Sequence, residues 1–174
     1  GTLEPLPPWI RIEDVRPGNP ARGVLSISPG FEDAGRYSFT VQAADNSRER
    51  LSTSAVLSVT VDDVNRDPAF IPLGAQTVSE GNTLRFTVIG QDPDGDDVTL
   101  GTAGLLPGSA TFDPATGRFT WSPTFADSGA HTAIFTADDP RGGSTRMTVQ
   151  ISVSEENRPP AFDSAMNQEF QALV

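Results

Sequence analysis

The chain has 174 residues, 36% of them hydrophobic, and carries 23 acidic against 12 basic residues for a formal charge of −11, with one histidine and no cysteine. That length accommodates two cores of modest size, and the missing cysteine removes disulfides, thiol chemistry and soft-metal sites. The acidic balance repels phosphate backbones and anionic surfaces, which disfavours nucleic acid as a partner, and no apolar run is long enough to cross a bilayer.

In chain order the predicted elements are strands. Trp9 follows Pro7-Pro8 near the start; Leu25 and Ile27 alternate, then Phe39, Val41 and Ala43, then Leu57, Val59 and Val61. After Asp62, Asp63 and Asp67, a second series begins with Leu84, Phe86 and Val88 on one face. It continues with Phe119 and Trp121, with Phe135 and Ala137, and with Met147, Val149, Ile151 and Val153. Period two over these lengths indicates sheets with one buried face, and no segment sustains a helical period. Asp92-Pro-Asp-Gly95, Pro107-Gly108, Asp113-Pro-Ala-Thr-Gly117, Asp127-Ser-Gly129 and Pro140-Arg-Gly-Gly143 supply the intervening turns. Phe119 and Trp121 read as core, and His131, in line with Tyr37, reads as structural.

The series repeats. Asn65-Arg-Asp-Pro-Ala-Phe70 returns as Asn157-Arg-Pro-Pro-Ala-Phe162, an offset of 92. Ala21-Arg-Gly-Val-Leu-Ser-Ile-Ser-Pro29 matches Ala115-Thr-Gly-Arg-Phe-Thr-Trp-Ser-Pro123, and Phe31-Glu-Asp-Ala-Gly35 matches Phe125-Ala-Asp-Ser-Gly129, both at 94. So many anchors in one order indicate tandem units, each long enough to fold alone. The expected division is a first repeat over 1–65 lacking its opening strands, a complete repeat over 66–157, and the start of a third repeat or a linker over 158–174. The first repeat has no counterpart of Val78 to Val88. It begins atypically or is cut without reference to the repeats, or else a strand of another molecule completes it and produces an oligomer. Proline in both junctions, Asp67-Pro68 and Pro159-Pro160, predicts stiff extended joints.

Acidic residues gather at these joints and at strand ends, notably Asp92, Asp94, Asp96 and Asp97, Asp138 and Asp139, and Glu155 and Glu156. Such clusters suit hard cations or solvated loops. Catalysis lacks its parts: there is no thiol, a single histidine, no phosphate-binding glycine loop, and the paired carboxylates fall in turns.

Ser79-Glu80-Gly81, Asp92-Pro-Asp-Gly-Asp96, Leu106-Pro-Gly108, Phe112-Asp-Pro-Ala-Thr-Gly-Arg-Phe119, Ala137-Asp-Asp139 and the Asn157 junction together resemble the cadherin-like and immunoglobulin-type repeats of microbial surface and secreted proteins. The resemblance implies an all-β fold of tandem immunoglobulin-like (cadherin-like) Greek-key β-sandwiches, end to end. It also implies calcium between successive domains, held in this chain by Asp62, Asn65, Asp92, Asp94 and Asp139, with Asp33 as a central-loop acid of the first unit. Glu80, Asp127, Glu155 and Asn157 would serve the next joint. This sequence departs from that pattern where Arg66 follows Asn65, since arginine paired with Asp62 or Asp94 can replace an ion; calcium and a metal-free joint both remain open. The expected function is a non-enzymatic extracellular adhesion or spacer module, secreted or at a cell surface, whose partners are the adjacent repeats of its own chain. The rival is a module binding a glycan or protein ligand, which an exposed aromatic platform around Trp9 would favour. Neither reading inserts into a membrane.

Overall fold

The structure is a computed structural model that describes residues 6–18 and 20–160, so the continuation of the expected third repeat from residue 161 lies outside the described residues. The chain divides into two compact units between Val64 and Asn65.

The first unit holds two antiparallel hairpins. β1 (Ile10–Arg16) pairs with β2 (Arg22–Ile27), with a register shift between Glu13 and Arg16, and β3 (Gly35–Ala44) pairs with β4 (Ser52–Val61). Trp9 meets Tyr37 edge-on at 4.8 Å, and Tyr37 lies parallel to Phe39 at 6.2 Å. Ile10 is buried, whereas Ile12, Val24, Ile27, Val41 and Val56 are exposed despite the alternation that predicts a covered face.

The second unit is built from nine strands among its described residues. They are β5 (Ala69–Phe70), β6 (Gln76–Ser79), β7 (Leu84–Thr87), β8 (Gly90–Gln91), β9 (Thr99–Thr102), β10 (Thr111–Asp113), β11 (Arg118–Trp121), β12 (Gly129–Asp138) and β13 (Ser144–Ser154). One sheet has the order β10-β11-β7 and the other β6-β13-β12-β9, while β5 pairs with β8. All pairs are antiparallel except β6 with β13. Two sheets whose alternate residues meet in one core make an immunoglobulin-like β-sandwich.

Alternation puts Phe119 and Trp121 of β11 on one face, with Phe135 of β12 and Val149, Ile151 and Val153 of β13 opposite, all buried in a single cluster. Phe86 stacks on its cross-strand partner Phe119 at 4.5 Å, and Phe119 meets Phe135 edge-on at 6.0 Å. Each such side chain withdrawn from water stabilises by about 1.5–3 kcal/mol before entropy is counted. Gly117 closes the β10–β11 turn at φ 67°, and a Cβ there would strike the Val88 carbonyl. The predicted aspartate-proline turn thus requires glycine for both conformation and space.

A corner recurs in both units. The Tyr37 hydroxyl donates to the Asp33 carbonyl at 2.8 Å, and His131 Nε2 contacts the Asp127 carbonyl at 2.7 Å. Both partners stand 94 residues apart, as the sequence anchors do. Asp33 accepts from the Gly30 amide and Asp127 from the Thr124 amide, each at 2.7 Å, which fixes the turn before the strand. The imidazole, set edge-on against Trp121 at 4.9 Å, stands in the first unit's tyrosine position.

Candidate functional site

Three loops of the second unit converge where the chain enters it. They are the entering segment Asn65 to Pro68, the Asp92–Asp97 turn after β8, and the turn between β12 and β13. Pro68 is fully buried and fixes the segment's end against the sandwich. In the second loop, Asp92 Oδ1 accepts the amides of Asp94 at 2.7 Å and Asp96 at 3.2 Å. Aspartate at the head of a Pro-Asp-Gly sequence makes this turn because its side chain substitutes for a backbone acceptor.

That turn presents Asp94 to the entering segment. Asp94 Oδ2 accepts the Arg66 amide at 2.7 Å, and Asp94 Oδ1 accepts Arg66 Nε at 2.7 Å and lies 2.6 Å from Nη2. The same guanidinium donates to the Pro93 carbonyl at 2.8 Å. A planar fork with several fixed donors holds a carboxylate in one orientation as lysine would not. The Arg66 side chain, seconded by its own amide, holds the Asp94 carboxyl below the usual carboxylate range against a smaller opposing effect of burial.

The third loop anchors Asn65. Asp139 is only 9% exposed; its Oδ2 accepts Asn65 Nδ2 at 2.9 Å, and its Oδ1 accepts the amides of Arg141 at 2.7 Å and Gly143 at 3.0 Å. The Asn65 amide is the foremost cause of a lowered Asp139 pKa, with the loop amides adding to it and desolvation opposing. Gly143 leaves the space: a Cβ there would lie 2.9 Å from Asp67 Oδ1 and 3.1 Å from Asn65 Nδ2, and closer still to Asp139. Arg141 Nη1 stands 3.9 Å from Asp96 Oδ2.

Of the five residues expected to hold calcium, the structure gathers Asn65, Asp92, Asp94 and Asp139 into these three loops. Asp62 is an exposed residue of the first unit beyond β4, beside a shallow hollow of about 190 Å³ with Phe31 and Val64. Both Asp94 oxygens are engaged by arginine. The buried oxygens Asn65 Oδ1, Asp92 Oδ2 and Asp96 Oδ2 have no hydrogen-bond partner. Hard oxygen donors of the kind calcium takes are therefore present, although among the described residues no group of three or more histidine or acidic side chains is set to hold a metal ion. Arg141 and Gly143 were missed by sequence reasoning, which saw in Pro140-Arg-Gly-Gly143 only a turn; the adjacent Asp138-Asp139 was the available signal.

Glu80 lies in a different part of the unit. It is 3% exposed, its Oε2 accepts the Glu156 amide at 3.0 Å, and its Oε1 has no hydrogen-bond partner. It borders a cavity of about 390 Å³ with Ser128, Glu155, Asn157 and Arg158. The Arg158 guanidinium rests 4.0 Å above the Phe125 ring. Asp127, another acid expected here, accepts the Thr124 hydroxyl at 2.6 Å as well as its amide, and these bonds lower its pKa. No helix of the described residues is long and apolar enough to cross a membrane.

Residues 65–152 match the family described as bacterial Ig domain. Among solved structures, the chain is similar to a protocadherin gammaB7 EC3-6 cis-dimer structure, with 18% identity and a TM-score of 0.54, over 90% of this chain and 43% of that one. It is also similar to protocadherin gamma C5 EC1-3, with 18% identity and a TM-score of 0.54, over 87% of this chain and 55% of that one. An endo-fucoidan hydrolase from glycoside hydrolase family 107 aligns over 87% of this chain and 23% of its own, with 22% identity and a TM-score of 0.46. The chain thus spans between about a quarter and about half of these structures' chains, and at such identity the likeness to the two protocadherin structures concerns the fold alone. No curated protein matches the sequence.

Proposed function

Because the chain belongs to the bacterial Ig domain family through residues 65–152, we propose that it is a non-catalytic spacer or adhesion module of an extracellular protein, built of immunoglobulin-like repeats in tandem. The observation that carries this reading is the fastening of the entering segment onto the second unit. Arg66 grips Asp94 and the Pro93 carbonyl, Asn65 grips Asp139, and Pro68 is buried. A tether meant to swing would need none of these contacts, whereas a module that holds its neighbours at a set direction needs the chain fixed on entry. Recurrence of the Tyr37 and His131 corners at one offset supports the tandem arrangement.

The test is backbone ¹⁵N relaxation of residues 65–70 in the wild type and in Arg66→Ala. Order parameters near about 0.85 that fall below about 0.6 in the variant are expected. A segment already mobile in the wild type, or equally rigid without Arg66, would sink the reading.

Calcium at the same place is the second reading, favoured by buried oxygens of Asn65, Asp92 and Asp96 that accept no hydrogen bond, the last with a 3.9 Å ion pair to Arg141. These residues and Asp139 would hold the ion, which would supply charge neutralisation and rigidity. Calorimetric titration of chelator-treated protein distinguishes the two: saturable binding that raises the melting temperature and is lost in the Asp92→Asn, Asp96→Asn double variant supports calcium. No heat and no melting shift at millimolar calcium leaves the arginine clamp alone. The glycan- or protein-binding alternative draws less support, because Trp9 is partly covered and packs on Tyr37.

A further inference from the structure

The second unit grips the chain again where it leaves β13. β6 runs parallel to β13, and their pairing ends with Ser79 opposite Ser154. One step on, the Glu80 amide still donates to the Ser154 carbonyl at 3.0 Å. In a continuing parallel ladder the next rung would run from the Glu156 amide to the Glu80 carbonyl. The side chain makes that rung instead: Glu80 Oε2 accepts the Glu156 amide at 3.0 Å. Gly81, in the left-handed region at φ 75°, turns the backbone there, and its own amide goes to the Pro123 carbonyl at 2.9 Å. A glutamate side chain is long enough to keep the rung after the main chain has begun to turn.

Glu80 is a costly residue to place here. It is 3% exposed and its Oε1 has no hydrogen-bond partner. A buried carboxylate with one bonded oxygen opposes folding, and an apolar side chain of similar size would pack at least as well. Glu156 is exposed, so its amide could turn to water if the carboxylate were absent. The bond therefore fixes position more than it adds stability. Two residues further, Arg158 rests 4.0 Å above the Phe125 ring, which passes 3.8 Å from where a Gly81 Cβ would stand. Both grips on the leaving chain are thus built on the Ser79-Glu80-Gly81 turn. We propose that Glu80 is a positioning residue, whose carboxylate latches the Glu156 amide and sets the direction in which residues 155–158 leave β13. The latch rests on the spacer reading and extends it, because a module that holds direction needs the chain fixed on leaving as well as on entry.

Glu80→Leu and Glu80→Gln in the full chain test the latch by amide hydrogen exchange and backbone ¹⁵N relaxation. In the wild type the Glu156 amide is expected to be protected, with order parameters near about 0.85 over residues 155–158. Glu80→Leu should speed Glu156 exchange at least about tenfold, the order of one lost bond to a charged acceptor, and lower those order parameters. Its urea midpoint, followed through Trp121 fluorescence, should equal or exceed that of the wild type, which a merely structural role would not give. Glu80→Gln keeps an acceptor oxygen and should keep the protection. Undiminished protection in Glu80→Leu overturns the proposal. So does a Glu80→Gln variant as loose as Glu80→Leu, or a loss of stability in Glu80→Leu that raises exchange across the whole second unit. Residues 65–70, read in the same spectra, separate the latch from the spacer reading. A mobile entry beside a protected Glu156 sinks that reading and upholds the latch, whereas an ordered entry beside an unprotected wild-type Glu156 overturns the latch alone.

Discussion

Phe119→Ala tests whether the second sandwich is organised around the aromatic cluster where β7, β11 and β12 meet. The ring is 0% exposed, stacks on Phe86 at 4.5 Å and meets Phe135 edge-on at 6.0 Å. Truncation removes the whole ring from a site held by strand pairing on both sides, where neighbours can relax little, so the transfer loss and the cavity left behind add. The expected cost is about 3–5 kcal/mol. With a urea slope of about 1.5 kcal/mol/M for a domain of this size, the midpoint should fall by about 2–3 M. Trp121 is two residues away on the same buried face and reports the transition; Trp9→Phe removes the other tryptophan's signal. A cycle of Phe86→Leu, Phe119→Leu and their double variant should give a coupling of about 0.5–1.5 kcal/mol for the stacked pair. A Phe119→Ala cost under about 1.5 kcal/mol, or zero coupling, would refute the packing described here.

The same subtraction of side-chain atoms should cost little in the first unit. Val41→Ala removes two methyl groups from a residue 45% exposed, and about 1 kcal/mol or less is expected in a melt followed through Trp9; a cost near 3 kcal/mol would show a covered face. His131→Tyr should preserve stability within about 0.5 kcal/mol, because a hydroxyl there can donate to the Asp127 carbonyl as Tyr37 does to Asp33, whereas His131→Phe should lose about 1 kcal/mol in urea titrations. Gly117→Ala should destabilise by at least about 1–2 kcal/mol through left-handed strain alone, before the clash with the Val88 carbonyl is counted. The lowered pKa values of Asp94 and Asp139 mean that protons bind more tightly to the unfolded chain. Their stabilisation is therefore complete above the unfolded value of about 3.9 and is lost as pH falls through the lower folded values. Arg66→Gln removes the main cause at Asp94, so unfolding free energies measured from pH 6 to pH 2 should decline less steeply than in the wild type. An unchanged slope would contradict the clamp.

Sequence alone determined the all-β character, because period-two alternation in runs such as Leu84-Arg-Phe-Thr-Val88 and Met147 to Val153 fits only strands with one buried face. It also marked the Asp113 to Gly117 turn, the core role of Phe119 and Trp121, and four of the acidic and amide residues that now lie in three neighbouring loops. Those signals are local: they depend on side-chain chemistry and on spacing within one element. What was not local had to await the fold. Arg66 had two carboxylates within its prospective reach, and the backbone path of the Asp92 turn brings Asp94 to it, one oxygen to the guanidinium and the other to the Arg66 amide. Gly143 looked like turn punctuation until the loop brought Asp139, Asp67 and Asn65 around its missing Cβ. Alternation in the first unit promised a buried face, yet burial requires a partner surface as well as a pattern. Among the described residues, Val41 and Ile27 are exposed where their counterparts Phe135 and Trp121 are sealed beneath a sandwich that includes β7 and β9.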